Sequence, residues 1–137
     1  MNKVNIIYWS GTGNTETMAQ AIFSGCNDDA KLLSVDSATL NDIDESDVLF
    51  LGCPAMGDEV LEEGEMEPFM EGISSLDNKK VILFGSYGWG DGQWMRDWEE
   101  RVTSLGATLV EESVIANYDP EASILDSLKS LGEKYSK

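Results

Sequence analysis

Short, nearly continuous apolar runs alternate along the chain with longer stretches in which apolar residues recur every three or four positions. Four runs have the length of a strand: residues 4–9, 31–35, 48–52 and 81–85. Such runs are typical of strands buried on both faces, as the central strands of a parallel sheet are. A last run, residues 107–116, is interrupted by Glu111 and Glu112. This interruption predicts an edge strand broken by charge.

The amphipathic stretches between these runs predict helices. They cover residues 15–26, 67–76, 94–105 and 124–135. Because Trp94 and Trp98 are four positions apart, both lie on one helix face and are expected in the core. Strands that alternate with helices imply a parallel sheet covered on both faces. We therefore expect an α/β fold, a doubly wound three-layer α/β/α sandwich, in a single domain over residues 1–137.

Composition and charge narrow the function. Hydrophobic residues make up 42% of the 137 positions, and 26 Asp and Glu against 9 Lys and Arg give a formal net charge of −17. This excess argues against nucleic acids and anionic membranes as partners, because both attract a basic surface. The chain contains no histidine, which excludes Ser-His and Cys-His nucleophiles and histidine-ligated metals. We expect no metal site.

The two cysteines, Cys26 and Cys53, form no CxxC pair. No apolar run approaches the ~20 residues of a membrane span, and the N-terminal stretch is too short and too aromatic for a signal peptide. Together these features predict reduced thiols and a cytoplasmic protein.

Ligands of doubly wound sheets bind beyond the carboxyl ends of the strands, which directs attention to the loop after the first strand. It combines two glycines, three hydroxyls and an amide, in the order Ser10, Gly11, Thr12, Gly13, Asn14 and Thr15. Glycines let several N–H groups converge, and the following helix adds positive potential, so the loop could hold a phosphate without any cation. The sequence of this loop matches neither the P-loop motif of NTPases, which needs Gly-Lys-[Ser/Thr], nor the dinucleotide-binding motif, whose third glycine is replaced by Glu16. An ordinary turn with a capped helix is the alternative.

The loop after the third long run comprises Pro54, Ala55, Met56, Gly57, Asp58 and Glu59. Gly57 and Asp58 suit the central positions of a type II′ turn, in which the first needs a positive φ. Met56 is either core filler or a compliant contact for an aromatic ring. A plain surface turn is the alternative for this loop.

The loop after the fourth long run comprises Ser86, Tyr87, Gly88, Trp89 and Gly90. A tryptophan with glycine on both sides cannot be buried by the packing of a helix or a strand. An exposed indole is unfavourable unless it covers something, and a flat aromatic ligand is the natural candidate.

With these three loops the chain resembles the flavodoxin family, in particular the short-chain type of anaerobic bacteria, over nearly its whole length. The resemblance implies a five-stranded parallel sheet of order 2-1-3-4-5 with FMN at the switch point. The fifth strand lacks the insertion of ~20 residues that marks long-chain members. By the resemblance, residues 10–15 would hold the FMN phosphate, Met56 and Trp89 would face the two sides of the flavin, and Glu59 would accept a hydrogen bond from its N3–H. The Gly57–Asp58 peptide would turn over on reduction, and Asn117 is a candidate for the ring edge.

The function implied is a low-potential one-electron carrier that works through the semiquinone/hydroquinone couple, and not an enzyme. Between Lys31 and Lys79 the chain carries acids and no Lys or Arg. Their negative charge disfavours the uptake of a second electron by the flavin. It would also attract redox enzymes with basic docking patches, and we expect the protein to be a monomer. An NAD(P)H:quinone reductase and a response-regulator receiver are the alternatives. The first has no spare segment for a nicotinamide site, and the second needs an acidic pair where the first strand here ends Tyr8-Trp9-Ser10.

Overall fold

The sheet carries the fold and ends in the loops singled out above. A computed structural model describes residues 2–137. Its strands are β1 (Val4–Tyr8), β2 (Lys31–Ser34), β3 (Val48–Gly52), β4 (Lys80–Tyr87), β5 (Thr108–Leu109) and β6 (Val114–Asn117). Its helices are α1 (Asn14–Gly25), α2 (Leu40–Asp44), α3 (Met66–Glu71), α4 (Gln93–Ser104) and α5 (Ala122–Ser136), with a 3₁₀ turn at Val35–Ser37.

All strand pairs are parallel, in the order β2-β1-β3-β4-β5, and β6 also pairs with β4. β5 lies beside the first two residues of β4, and β6 lies beside its last four. The two segments are therefore halves of one edge strand, interrupted at residues 110–113 where the two glutamates stand. This confirms the predicted strand order and the broken fifth strand.

Alternate residues of the strands feed two cores, one on each face of the sheet. On one face Ile7, Leu49 and Leu83 pack with residues of α3 and α4, including Trp94 and Trp98. Both tryptophans are fully buried, which confirms their predicted place in the core. On the other face the strands pack with α1 and α5 through Ile6, Phe50, Ile82, Met18, Ile22 and Leu128. The expected three-layer sandwich is confirmed.

Two details of the helices differ from prediction. The helix expected over residues 67–76 ends at Glu71, because the chain turns after Gly72. Ile73 and Leu76 nevertheless stay buried, and the Leu76 N–H donates to the Leu105 carbonyl at 2.8 Å, so their apolar spacing belongs to a packed loop. The short helix α2 was not predicted.

Helices α1 and α5 approach each other closely at two glycines. A Cβ on Gly132 would lie 2.1 Å from the carbonyl oxygen of Ile22, and one on Gly25 would lie 2.1 Å from that of Lys129. Contacts this short are possible only at glycine, so these two residues allow α1 and α5 to pack closely against each other. Within residues 2–137, no helix is long and apolar enough to cross a bilayer.

Candidate functional site

A cleft of about 280 Å³ opens at the carboxyl ends of β1, β3 and β4. It lies at the switch point of the sheet, because β1 has β2 on one side and β3 on the other. Three predicted loops meet there. Their lining residues are Gly11, Thr12, Asn14, Pro54, Ala55, Met56, Ser86, Tyr87 and Gly88.

The loop after β1 presents backbone donors at the start of α1. Its Gly13 has a φ of 104° and stands at the N-cap of the helix, a conformation that favours glycine. The hydroxyl oxygen of Ser10 accepts the N–H groups of Gly13 and Glu16, both at 3.2 Å, and so braces the turn. Among residues 2–137, no acceptor is found for the backbone N–H groups of Gly11, Thr12, Asn14 and Thr15.

The side chain of Thr15 does not line the cleft. It is 1% exposed, and its hydroxyl oxygen lies 3.0 Å from that of Ser86 on β4. The Thr15 hydroxyl therefore ties α1 to β4 and helps to set the position of Ser86. What Thr15 can offer a ligand is its backbone N–H.

The loop after β3 is a tight hairpin closed by a bridge between Met56 and Val60. The Glu59 N–H donates to the Met56 carbonyl at 2.6 Å, so Gly57 and Asp58 are the central turn residues, as predicted. The predicted type II′ geometry is wrong, because Gly57 has no left-handed φ and the positive φ, 56°, belongs to Glu59. A type I turn followed by a left-handed residue is the usual three-residue hairpin, and the bridge to Val60 selects it.

Glu59 connects this hairpin to α4. One of its carboxylate oxygens, Oε1, accepts the N–H groups of Gly92 at 3.1 Å and of Gln93 at 3.3 Å. Gly92 is the N-cap residue and has no side chain to cap the helix, so the distant Glu59 does so. A Cβ on Gly90 would lie 2.5 Å from this carboxylate, which explains a glycine there. Glu59 and Gly90 flank the cleft and are not among its lining residues.

The loop after β4 carries the exposed Trp89, with 66% of its surface accessible. Neither Trp89 nor Asp58 lines the cleft. Tyr87 does, and its ring lies 5.6 Å from that of Trp94. Asn117 points its amide at the carbonyls of Tyr87 and Gly88, at 3.3 and 3.1 Å, and so braces this loop.

Two aromatic residues that line the cleft were missed from the sequence. Trp9 ends the first apolar run and donates its indole N–H to Glu65 at 3.0 Å. Tyr118 follows β6 and lines the side of the cleft next to Gly88. Since ligands bind at the carboxyl ends of the strands, the same argument applied to the last strand could have found Tyr118.

Among residues 2–137, no lysine or arginine lines the cleft. Instead, four lysines stand at the amino ends of the strands: Lys3, Lys31, Lys79 and Lys80. Near the cleft, Glu62 accepts the N–H groups of Gly64, Glu65 and Met66. Although burial acts to raise it, these bonds lower the pKa of Glu62 below its usual value. The cleft end of the sheet is therefore acidic, whereas Lys3 and Lys31 at the amino ends pair with Asp42 and Glu45.

The buried thiol of Cys53 stands directly before the second loop. Burial raises its pKa to about 12, so the thiol stays protonated and unreactive at neutral pH. Cys26 is also free. In the part of the chain that the structure describes, no cluster of three or more Cys, Asp or Glu could hold a metal ion.

The donors of the cleft fit an FMN-like ligand. Unpaired N–H groups at a helix N-terminus match a phosphate ester, and the aromatic residues with Met56 match a flat ring system. Such an arrangement at a switch point defines a nucleotide-binding protein of the doubly wound α/β class.

The comparisons with known proteins identify the family. The family model described as flavodoxin matches residues 6–130. A flavodoxin of Clostridium beijerinckii is 48% identical over 92% of this chain and 94% of its own, and one of Megasphaera elsdenii is 41% identical over 98% of both chains. The solution structure of two-electron-reduced Megasphaera elsdenii flavodoxin superposes with a TM-score of 0.84 over 96% of this chain and 98% of that one, at 42% identity.

The chain belongs to the flavodoxin family and resembles its short-chain, anaerobic-bacterial members. Flavodoxins bind FMN and transfer electrons between redox enzymes, and they are not enzymes with a substrate of their own. This protein is accordingly an FMN-dependent electron carrier.

Proposed function

We propose that the cleft at β1, β3 and β4 holds FMN and that the protein is a low-potential one-electron carrier. FMN, when bound, supplies a redox centre that can take up electrons one at a time. Residues 10–15 hold the phosphate, Met56 and Trp89 contact the two ring faces, and Glu59 accepts the flavin N3–H. The other members of the site are the remaining residues of 54–59 and 86–90.

The observation that carries this proposal is a phosphate site built without cations. The N–H groups of Gly11, Thr12, Asn14 and Thr15, for which no acceptor is found among residues 2–137, stand at the start of α1, where the helix dipole favours a dianion. Because these donors are neutral, the phosphate keeps its charge. The bound ligand therefore adds negative charge to an end of the molecule that is already negative.

That negative field supports a low potential for the second electron. The segment after β3 carries Asp58, Glu59, Glu62, Glu63 and Glu65. Glu65 accepts the indole N–H of the cleft residue Trp9, and among residues 2–137 no cation lines the cleft. One carboxylate about 10 Å away opposes a further negative charge by roughly 1–2 kcal/mol at an effective dielectric of about 20, before salt screening. Several such carboxylates make full reduction costly.

The Gly57–Asp58 turn supports a separate control of the first electron. Among residues 2–137, no hydrogen-bond partner is found for the Gly57 carbonyl or the Asp58 N–H, so rotation of this peptide would break no hydrogen bond of its own. Rotation would bring the Gly57 carbonyl towards the flavin, as the family resemblance implies. A new hydrogen bond of about 0.5–1.5 kcal/mol shifts a one-electron potential by roughly 20–65 mV, since tenfold is ~59 mV.

The same charge distribution supports transient docking with basic patches of redox enzymes through the cleft end of the molecule. Acidic residues around the cleft would orient the approach, and the encounter would weaken with salt. We further propose that the protein acts as a monomer, that residues 1–137 form one FMN-binding domain, and that it works in the cytoplasm, where its two free cysteines stay reduced.

A comparison of two flavins tests the phosphate assignment. Apoprotein is titrated with FMN and with riboflavin, which lacks the phosphate, and the quenching of flavin fluorescence gives each Kd. We expect FMN to bind far more tightly, and Thr12→Ala to weaken FMN binding by about tenfold, the effect of one charge-assisted hydrogen bond, while riboflavin binding is unchanged. Thr103→Ala, on the exposed side of α4, is the matched control. Equal affinity for the two flavins would contradict the proposal.

A further inference from the structure

Tyr118 is the large residue of the cleft that neither the sequence nor the role of the three loops explains. It follows β6, lines the cleft beside Gly88, and is 62% exposed. An aromatic ring that is exposed next to a cleft is unfavourable in water unless a ligand covers it.

The structure holds Tyr118 firmly in an unusual conformation. Its φ is 57°, a left-handed backbone that a bulky side chain rarely adopts. The Tyr118 N–H donates to the Tyr87 carbonyl at 2.7 Å. The amide of Asn117 donates to the carbonyls of Tyr87 and Gly88. The turn after β6 is thus fastened to the third loop of the site.

Packing within the protein does not account for the phenol ring. Its close neighbour is Gly88, where a Cβ would lie 3.2 Å from Cε1 of the ring. Among residues 2–137 no hydrogen-bond partner is found for its hydroxyl. The ring therefore lies close to Gly88, and most of the residue's surface is open.

We propose that Tyr118 is a fourth contact of the bound flavin and closes the cleft on the side of β6. This inference rests on the proposed function, in which FMN occupies the cleft. The contact is to the flavin ring or its ribityl chain and not to the phosphate. Tyr118 lies beside Gly88, the neighbour of Trp89, which is proposed to face the ring, whereas the free N–H donors lie in residues 10–15. The ring supplies the contact by dispersion and stacking, and its hydroxyl is secondary.

Binding of two flavins to apoprotein variants tests the proposal. Tyr118→Ala and Tyr118→Asn both remove the ring, and asparagine tolerates the left-handed backbone. We expect both to weaken FMN and riboflavin by the same factor, about tenfold, the usual effect of losing one aromatic stacking partner. Tyr118→Phe should stay within about threefold of the parent. Phe23→Ala, which removes a ring 40% exposed on α1 away from the cleft, is the matched control and should change neither affinity.

The outcomes separate this inference from the proposed function. If the parent protein binds no FMN, the proposed function fails. If the parent binds FMN and both ring-removing variants bind it equally well, the inference fails alone. A loss confined to FMN would place Tyr118 at the phosphate and overturn the assignment to the ring. Urea unfolding of each apoprotein should show no loss of stability, with a small gain for Tyr118→Asn because asparagine tolerates the left-handed backbone, and a large loss would mean that Tyr118 is a packing residue.

Discussion

Removal of the Glu59 carboxylate should weaken the start of α4 even without a ligand. Its Oε1 accepts the N–H groups of Gly92 and Gln93, and the N-cap residue Gly92 makes no side-chain cap of its own. The change to test is Glu59→Ala, with Glu59→Gln as the matched variant, because glutamine keeps an acceptor oxygen and loses only the charge.

The magnitude follows from the two hydrogen bonds. Loss of a capping acceptor costs about 0.5–2 kcal/mol, so we expect Glu59→Ala to lower the free energy of unfolding by about 1.5 kcal/mol. Loss of charge at a helix N-terminus costs roughly 0.3–1 kcal/mol, so Glu59→Gln should cost about 0.5 kcal/mol. For a chain of this length, 1 kcal/mol corresponds to a fall in Tm of roughly 3–5 °C.

Urea unfolding of the apoprotein, followed by circular dichroism, measures both variants. Apoprotein is essential, because ligand binding would add its own stabilisation to the folded state. Two results would refute the capping role. Either Glu59→Ala lies within about 0.3 kcal/mol of the parent, or Glu59→Gln is as destabilised as Glu59→Ala.

Three further predictions concern other positions. Gly132→Ala should destabilise the fold by about 1–3 kcal/mol, because its Cβ would meet the Ile22 carbonyl at 2.1 Å, while Gly72→Ala, with no contact under 3.5 Å, should be neutral in the same urea titration. Because the pKa of Glu62 is lower in the folded state than its ordinary value of 4.5, ionised Glu62 stabilises the fold at pH values above 4.5. This stabilisation is lost as the pH falls through the lower pKa of the folded state. The stability difference between parent and Glu62→Gln should therefore shrink as acid is added, and a difference independent of pH would contradict this. Gly57→Ala should leave urea stability unchanged, because its Cβ meets nothing within 4 Å. It should lower the potential of the first electron in the holoprotein, because glycine allows the backbone rotation at the least cost, and an unchanged potential would contradict the peptide rotation.

The sheet could be predicted from the sequence because its strands are buried on both faces. Residues 48–52 and 81–85 read as unbroken apolar runs, and only a central strand needs apolar side chains in both directions. The edge strand was recognisable for the opposite reason, since charges can stand only where one side of the backbone is open to water. Short helix α2 escaped because five residues carry no periodicity, although Thr39 and Asp42 form a capping box that could have marked it.

The parts of the candidate site that lie in consecutive residues could be predicted from the sequence. The parts that depend on contacts between distant residues could not. The proposed phosphate loop is marked by six consecutive residues, 10–15, that are rich in glycine and hydroxyl groups. By contrast, the hairpin geometry was misjudged because Met56 and Val60 close it through a bridge, and no local rule announces that Glu59 reaches α4. Nothing in the sequence around Thr15 shows that its hydroxyl pairs with that of Ser86 on β4. Tyr118 was not predicted because its place in the cleft depends on the turn after β6, which no glycine-rich pattern marks.

The central claim is that an uncharged cleft in an acidic surface holds FMN and makes its reduction occur in two one-electron steps at different potentials. Potentiometric titration of the FMN-loaded protein, with electron paramagnetic resonance at each step, tests this most directly. We predict two one-electron steps, a strong signal from an unpaired electron between them, and a second potential well below that of free FMN. A single two-electron step at the potential of free FMN, with no such signal, would contradict the account.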